Sequence, residues 1–263
     1  MESALTAMTA GAWLFAMVQQ VRRLAGAAQG QVLVHLAGWA GVLCYGVLVW
    51  MAVDVGDLRV GTVLALTAAI VVTITLLGAM RLPLSHLFVV VFPAGAICVV
   101  LGSTLPSTLE PREIPWGLVV HVLLSALAYA TLTLAACQAL ILAWQDRVLR
   151  HRRSLRALQG LPPLTHMEEL LFQFVWLGLA LLSAAIASGF LFLSNLFGQQ
   201  VVHHTVLSMS SWVVFALLLW GRHALGWRGP TAIRWTLGGF ALLVLGYFGS
   251  KLMLEIILPA VSG

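Results

Sequence analysis

Seven ionisable side chains fall inside long apolar stretches of this chain: His35, His86, His121, His203, His204, Lys251 and Glu255. Such groups are costly in hydrocarbon, so they are the first candidates for function. His121 lies five residues after Trp116, and Ser125, Tyr129 and Thr133 follow it in steps of four. That spacing puts one polar stripe on one helix face. It also sets His121 about 8 Å below the level of Trp116. His203 and His204 open a later apolar stretch that is expected to start on the same side of the membrane, and so at the same depth. Neutral imidazoles at one level on two helices can supply both axial ligands of a haem iron. The structural alternatives are a His121 bonded to a backbone carbonyl and an interfacial His203–His204 pair facing water. Spacing leaves the second ligand open, since His204 shares a face with Ser208 and Ser211, and His203 with Leu207 and Ser210.

Lys251 belongs to the same expected depth. It can snorkel outward, pair with Glu255 or meet a haem propionate; the Lys-before-Glu order is the weaker one for a helical pair, which favours an external anion. His35 and His86 sit at the opposite ends of their stretches and suggest a second, inner site or two solitary polar residues. Cys44, Cys98 and Cys137 each stand alone in apolar sequence without metal or redox spacing, and read as small hydrophobes. No Walker loop, HExxH or GxSxG is present, which speaks against an enzyme. Glu255 is the one clear intramembrane acid, which disfavours an ion-coupled pump.

These residues need helices that cross a membrane. Of 263 residues, 61% are hydrophobic and 9% charged, against about 25% charged in soluble domains. Apolar stretches near 3–21, 31–53, 60–79, 82–101, 116–144, 167–194, 204–221 and 232–257 can each span about 30 Å of hydrocarbon. The expectation is an all-α polytopic bundle of about eight spans, forming a single integral membrane domain over 1–263. The fourth span holds Pro93, a candidate kink. Ala184 with Ser188, and Ala185 with Gly189, are small-residue pairs suited to close helix packing.

Arginine orients the set. Arg22, Arg23, Arg81, Arg147, Arg150, Arg152, Arg153, Arg156, Arg222, Arg228 and Arg234 fall in loops on one side. Only Arg59 and Arg112 fall on the other, beside Asp54, Asp57, Glu110 and Glu113. Both termini are therefore expected outside, with the basic segment 145–165 cytoplasmic. Glu2 before the first span and Arg22–Arg23 after it give the charge order of an uncleaved helix. The arginines act as topological markers, so a basic isoelectric point does not imply nucleic-acid binding.

The stretch from Pro115 to Arg147, with His121, Ser125 and Tyr129 in the pattern HxxxSxxxY, resembles helix five of the cytochrome c assembly (CcsA/CcmC-like) membrane protein family. The HxTVLS, GWRG and YFGSK segments after it resemble the YpjD-type, HemX-like branch. The resemblance is strongest from Trp116 to Lys251. It implies haem handling, with His121 and His203 as iron ligands, His204 where relatives carry Lys, Lys251 as a basic partner, and His35 as a second-helix histidine. Synthases of the wider family carry a WxWD segment before helix seven. Here that region reads SNLFGQQVVHH, and the late external histidine is replaced in LMLEIIL.

The leading expectation is a haem b-binding protein of a bacterial inner membrane, acting in haem transfer or handling or in cytochrome c-type biogenesis, with bis-His ligation. Its expected partners are haem, the lipid bilayer and other cytochrome-assembly membrane proteins. The alternatives are a haem-free accessory or regulatory membrane subunit and, behind it, a small-solute permease.

Overall fold

A computed structural model describes residues 2–24, 26, 30–53, 60–104, 116–150, 161–192 and 202–246. Among them are eight α-helices and no strand: α1 (Glu2–Leu24), α2 (Gln31–Val53), α3 (Val60–Gly78), α4 (Phe88–Thr104), α5 (Trp116–Arg150), α6 (Leu164–Phe192), α7 (Val202–Ala224) and α8 (Pro230–Val244). The first seven, taking α4 together with a 3-10 turn that leads into it, are long and apolar enough to cross a membrane. The described part of α8 has 15 residues, and the expected eighth span runs on beyond the described residues. The chain is an all-helical, multi-pass membrane protein. Large apolar side chains face outward, as lipid exposure requires: on α2 the exposed set includes Val32, Leu36, Leu43, Val47 and Trp50.

The largest difference in start from the expected spans is at the fourth. Helix α4 does not begin at residue 82. Residues 79–83 form turns, and Ser85–Leu87 is a 3-10 turn before Phe88. Pro83 lacks an N–H and disfavours the helical conformation at Leu82, so the regular ladder starts only beyond it. Pro93, by contrast, sits inside α4 without ending it. The apolar run marks a stretch suited to hydrocarbon, but not where the backbone becomes helical.

The helices group into two compact units, Met1–Glu113 with Val148–Pro163, and Ile114–Arg147 with Leu164–Gly263. The first unit is organised around Trp13. Its side chain is fully buried, and its indole N–H donates to the Gly38 carbonyl of α2 at 3.2 Å. Gly41 of α2 and Gly95 of α4 lie against the indole, where an added methyl would collide with the ring. Helices α3 and α4 approach so closely at Gly61 and Gly102 that a side chain at either would meet the other's backbone. In hydrocarbon, where apolar burial between helices gains little, contacts of this kind carry the packing.

The second unit joins its helices by hydrogen bonds as well as by small residues. Gly178 of α6 receives the Leu132 side chain of α5. The Gln138 amide donates to the Met167 carbonyl at 3.0 Å, Ser211 to the Gly239 carbonyl at 2.8 Å, and the Trp212 indole to Ser183 Oγ at 2.8 Å. At one end, Arg222 of α7 reaches Glu168 of α6 at 2.8 Å and lies over the Phe172 ring at 4.5 Å. Several hydroxyls in both units, such as Thr75, Thr131 and Thr236, donate to the carbonyl four residues back. That habit satisfies a polar atom where water is absent.

Candidate two-histidine site

At the other end of the second unit, α5 begins, α6 ends and α7 begins around one cavity. It is partly open, has a volume of about 80 Å³, and is bounded by His121, Ser125 and Tyr129 on α5 and by His204, Thr205 and Ser208 on α7. Leu182, Ile186 and Phe190 of α6 and Met209 of α7 supply apolar wall. The polar stripe read from the sequence is therefore on the cavity face of α5 through Tyr129. Thr133 continues the stripe in sequence but bonds the Tyr129 carbonyl of its own helix at 2.7 Å.

His121 is anchored across the interface with α6. Its Nδ1 lies 3.0 Å from the Ala185 carbonyl and 3.1 Å from Ser188 Oγ. Ser188 in turn donates to the Ala185 carbonyl at 2.7 Å. Tyr129, two turns along α5, donates its hydroxyl to the Leu243 carbonyl of α8 at 2.9 Å. Helix α8 then passes into a wider π turn at Leu245–Gly246. A methyl on Gly246 would stand 3.0 Å from Leu207 Cβ, so this close approach backs the first turns of α7 from which His204 projects.

The candidate residues fall in three groups. His121 and His204 share one cavity. His203 lies on the first turn of α7, with its side chain outside what the structure describes, and Lys251 and Glu255 lie outside the described residues altogether. His35 and His86 belong to the first unit. His35 Nδ1 is 2.9 Å from the Gln31 carbonyl of its own helix, and its ring meets Phe88 edge-on at 5.5 Å. His86 is buried on the 3-10 turn. Among the described residues no group of three or more His, Cys, Asp or Glu could hold a metal ion, and the three cysteines are free and half-buried.

Two cavity features were not singled out for function from sequence. Ser188 and Ala185 read as packing residues, yet both contact His121. Thr205 and Met209 line the cavity beside His204; Thr205 was visible only as part of the HxTVLS segment, and Met209 only through its proximity to the histidine pair.

Two imidazoles from different helices, beside apolar and aromatic walls, are a donor set of the kind a haem iron accepts. The volume is small beside the 300–1,000 Å³ of typical ligand pockets, so the described walls do not enclose a macrocycle. Fold and site together define a multi-pass helical membrane protein with paired histidines at one end of a four-helix unit.

Comparison with known proteins places it further. The cytochrome c assembly protein family matches residues 34–258, and the chain belongs to that family. It is 33% identical over 204 residues to the inner membrane protein YpjD of Escherichia coli K12, covering 76% of this chain and 75% of that protein. An uncharacterized 28.8 kDa protein of Azospirillum brasilense is 34% identical over 140 residues, 52% of each chain. Protein HemX of Brevibacillus brevis is 24% identical over 134 residues, 50% of this chain and 49% of its own. No solved structure matches.

Proposed function

We propose that this protein binds haem b through His121 and His204 and acts in haem handling during cytochrome biogenesis, in a bacterial inner membrane with both chain termini outside. One observation carries the reading: two intramembrane imidazoles from separate helices line the same cavity. Membership of a cytochrome c assembly family supports a haem-related role, and likeness to an inner membrane protein supports the location. His204 is named because its side chain lines that cavity; His203, the ligand that the family resemblance implies, is the alternative. Lys251 is retained as the partner of a propionate.

Haem would supply an iron centre able to change oxidation state or be passed on. The chain's own residues bind and orient it. His121 and His204 would hold the iron from α5 and α7, Leu182, Ile186 and Phe190 would pack against the ring, and Tyr129 ties this face of α5 to α8. The role is binding and transfer, without a bond-making active site.

Purified wild-type protein should show a Soret band and a low-spin bis-imidazole spectrum. His121→Ala and His204→Ala should each lose that signature, while His203→Ala keeps it. Loss in His203→Ala with retention in His204→Ala would reassign the second ligand. Absence of a Soret band and of a pyridine haemochrome in wild type would refute haem binding. A second reading, a haem-free accessory subunit, is favoured by the small cavity. Copurification of a stoichiometric partner, unaffected by either histidine variant, would support it.

A further inference from the structure

We infer that the Ala185 carbonyl and the Ser188 hydroxyl hold His121 as the tautomer protonated on Nδ1, leaving Nε2 bare for the cavity, and that Ser188 is a positioning residue for that imidazole. The inference deepens the haem reading, because Nε2 is then the ligating atom, but its first test does not need haem.

The argument is one of donors and acceptors. A backbone carbonyl can only accept, so the 3.0 Å approach of His121 Nδ1 to the Ala185 oxygen requires a proton on Nδ1. The opposite tautomer would set two lone pairs against each other at that distance. Ser188 Oγ offers a consistent second acceptor at 3.1 Å, since its own proton is directed to the Ala185 oxygen at 2.7 Å. The three bonds agree in a single direction: Nδ1–H is shared between two oxygens, and the hydroxyl braces the carbonyl that takes part of it. With Nδ1 protonated, a neutral ring carries its lone pair on Nε2. His121 also lines the cavity, so the nitrogen that α6 does not use is the one offered there.

Ser188 contributes more than packing. It is buried, with 5% of its surface exposed, and it fixes the plane of the ring as a second point of attachment. Outer hydrogen bonds of this kind orient ligating histidines and raise their basicity; their loss commonly weakens binding by about 10- to 100-fold. Ala185 retains its carbonyl in any side-chain variant, so the effect of Ser188→Ala belongs at the lower end, about tenfold. Ser188→Thr keeps the hydroxyl and should restore binding.

The test uses the full chain in lipid nanodiscs, labelled with 15N-histidine and assigned by the signal lost in His121→Gln. In haem-free protein the His121 resonances should show a protonated Nδ1 and an unprotonated Nε2. A ring protonated mainly on Nε2 overturns the inference, whether or not the protein binds haem. Hemin titration then compares wild type, Ser188→Ala and Ser188→Thr. About tenfold weaker binding in the alanine variant, with a shifted Nδ1 signal and recovery in the threonine variant, supports the positioning role. An alanine variant with unchanged affinity and unchanged Nδ1 signal overturns it. If wild type binds no hemin, the proposed function fails while the tautomer measurement still decides the inference.

Discussion

The two helical units both carry intramembrane histidines, and they use them differently. In the first unit His35 turns its Nδ1 to the carbonyl of Gln31 on its own helix and rests its ring edge-on against Phe88. In the second unit His121 reaches across to a different helix, and its ring shares a cavity with the imidazole of His204. A histidine that satisfies itself locally can be structural at little cost. One fixed by a neighbouring helix, at a cavity lined by a second imidazole, has been positioned by tertiary structure. The same residue type at comparable hydropathy thus supports a bland reading in one unit and a ligand reading in the other.

The largest test of that contrast is replacement of each histidine in turn. His121→Ala should abolish the low-spin bis-imidazole spectrum, and difference spectra at matched protein concentration check it. Next comes the packing centre of the first unit. Trp13→Ala removes a fully buried indole and should destabilise that unit by about 3–5 kcal/mol, read as a lower midpoint in thermal or denaturant unfolding in detergent. Gly41→Ala drives a methyl into the same indole and should cost about 1–3 kcal/mol by the same measurement. Tyr129→Phe removes one interhelical bond to the Leu243 carbonyl, a loss of about 1 kcal/mol.

The sequence carried most of the helical fold because hydrophobic length is the term a bilayer imposes most strongly. It carried half of the candidate site for a related reason. The His121–Ser125–Tyr129 stripe repeats at helical spacing, so a shared face could be read without knowing the partner helices. Which of His203 and His204 is the ligand could not be read that way, and the structure describes only the His204 side chain. Adjacent residues lie about 100° apart on a helix, and which direction meets α5 depends on how α7 packs on α8 through Ser211, Gly239 and Phe215. Ala185 and Ser188 were legible as small residues, but a backbone carbonyl has no sequence signature, so their contact with His121 was not. The late start of α4 had a visible cause in Pro83, masked by the continuous apolar run around it.

The smallest expected effect is the most discriminating one for the comparison. His35→Ala removes a half-buried ring whose hydrogen bond is to its own helix and whose other described contact is the Phe88 edge. Such a loss should change stability by no more than about 1 kcal/mol, the scale of a single net hydrogen bond. The haem spectrum of the protein should stay unchanged in amplitude and position, because His121 and His204 remain. Quantifying haem per chain by pyridine haemochrome in wild type and His35→Ala checks this directly. A ratio that falls by half, with the remaining spectrum still bis-imidazole, would mean that the first unit holds a haem of its own. The local bond to Gln31 would then have to be read anew: by occupying Nδ1 it too leaves Nε2 for a ligand, and the contrast between the two units would become one of degree.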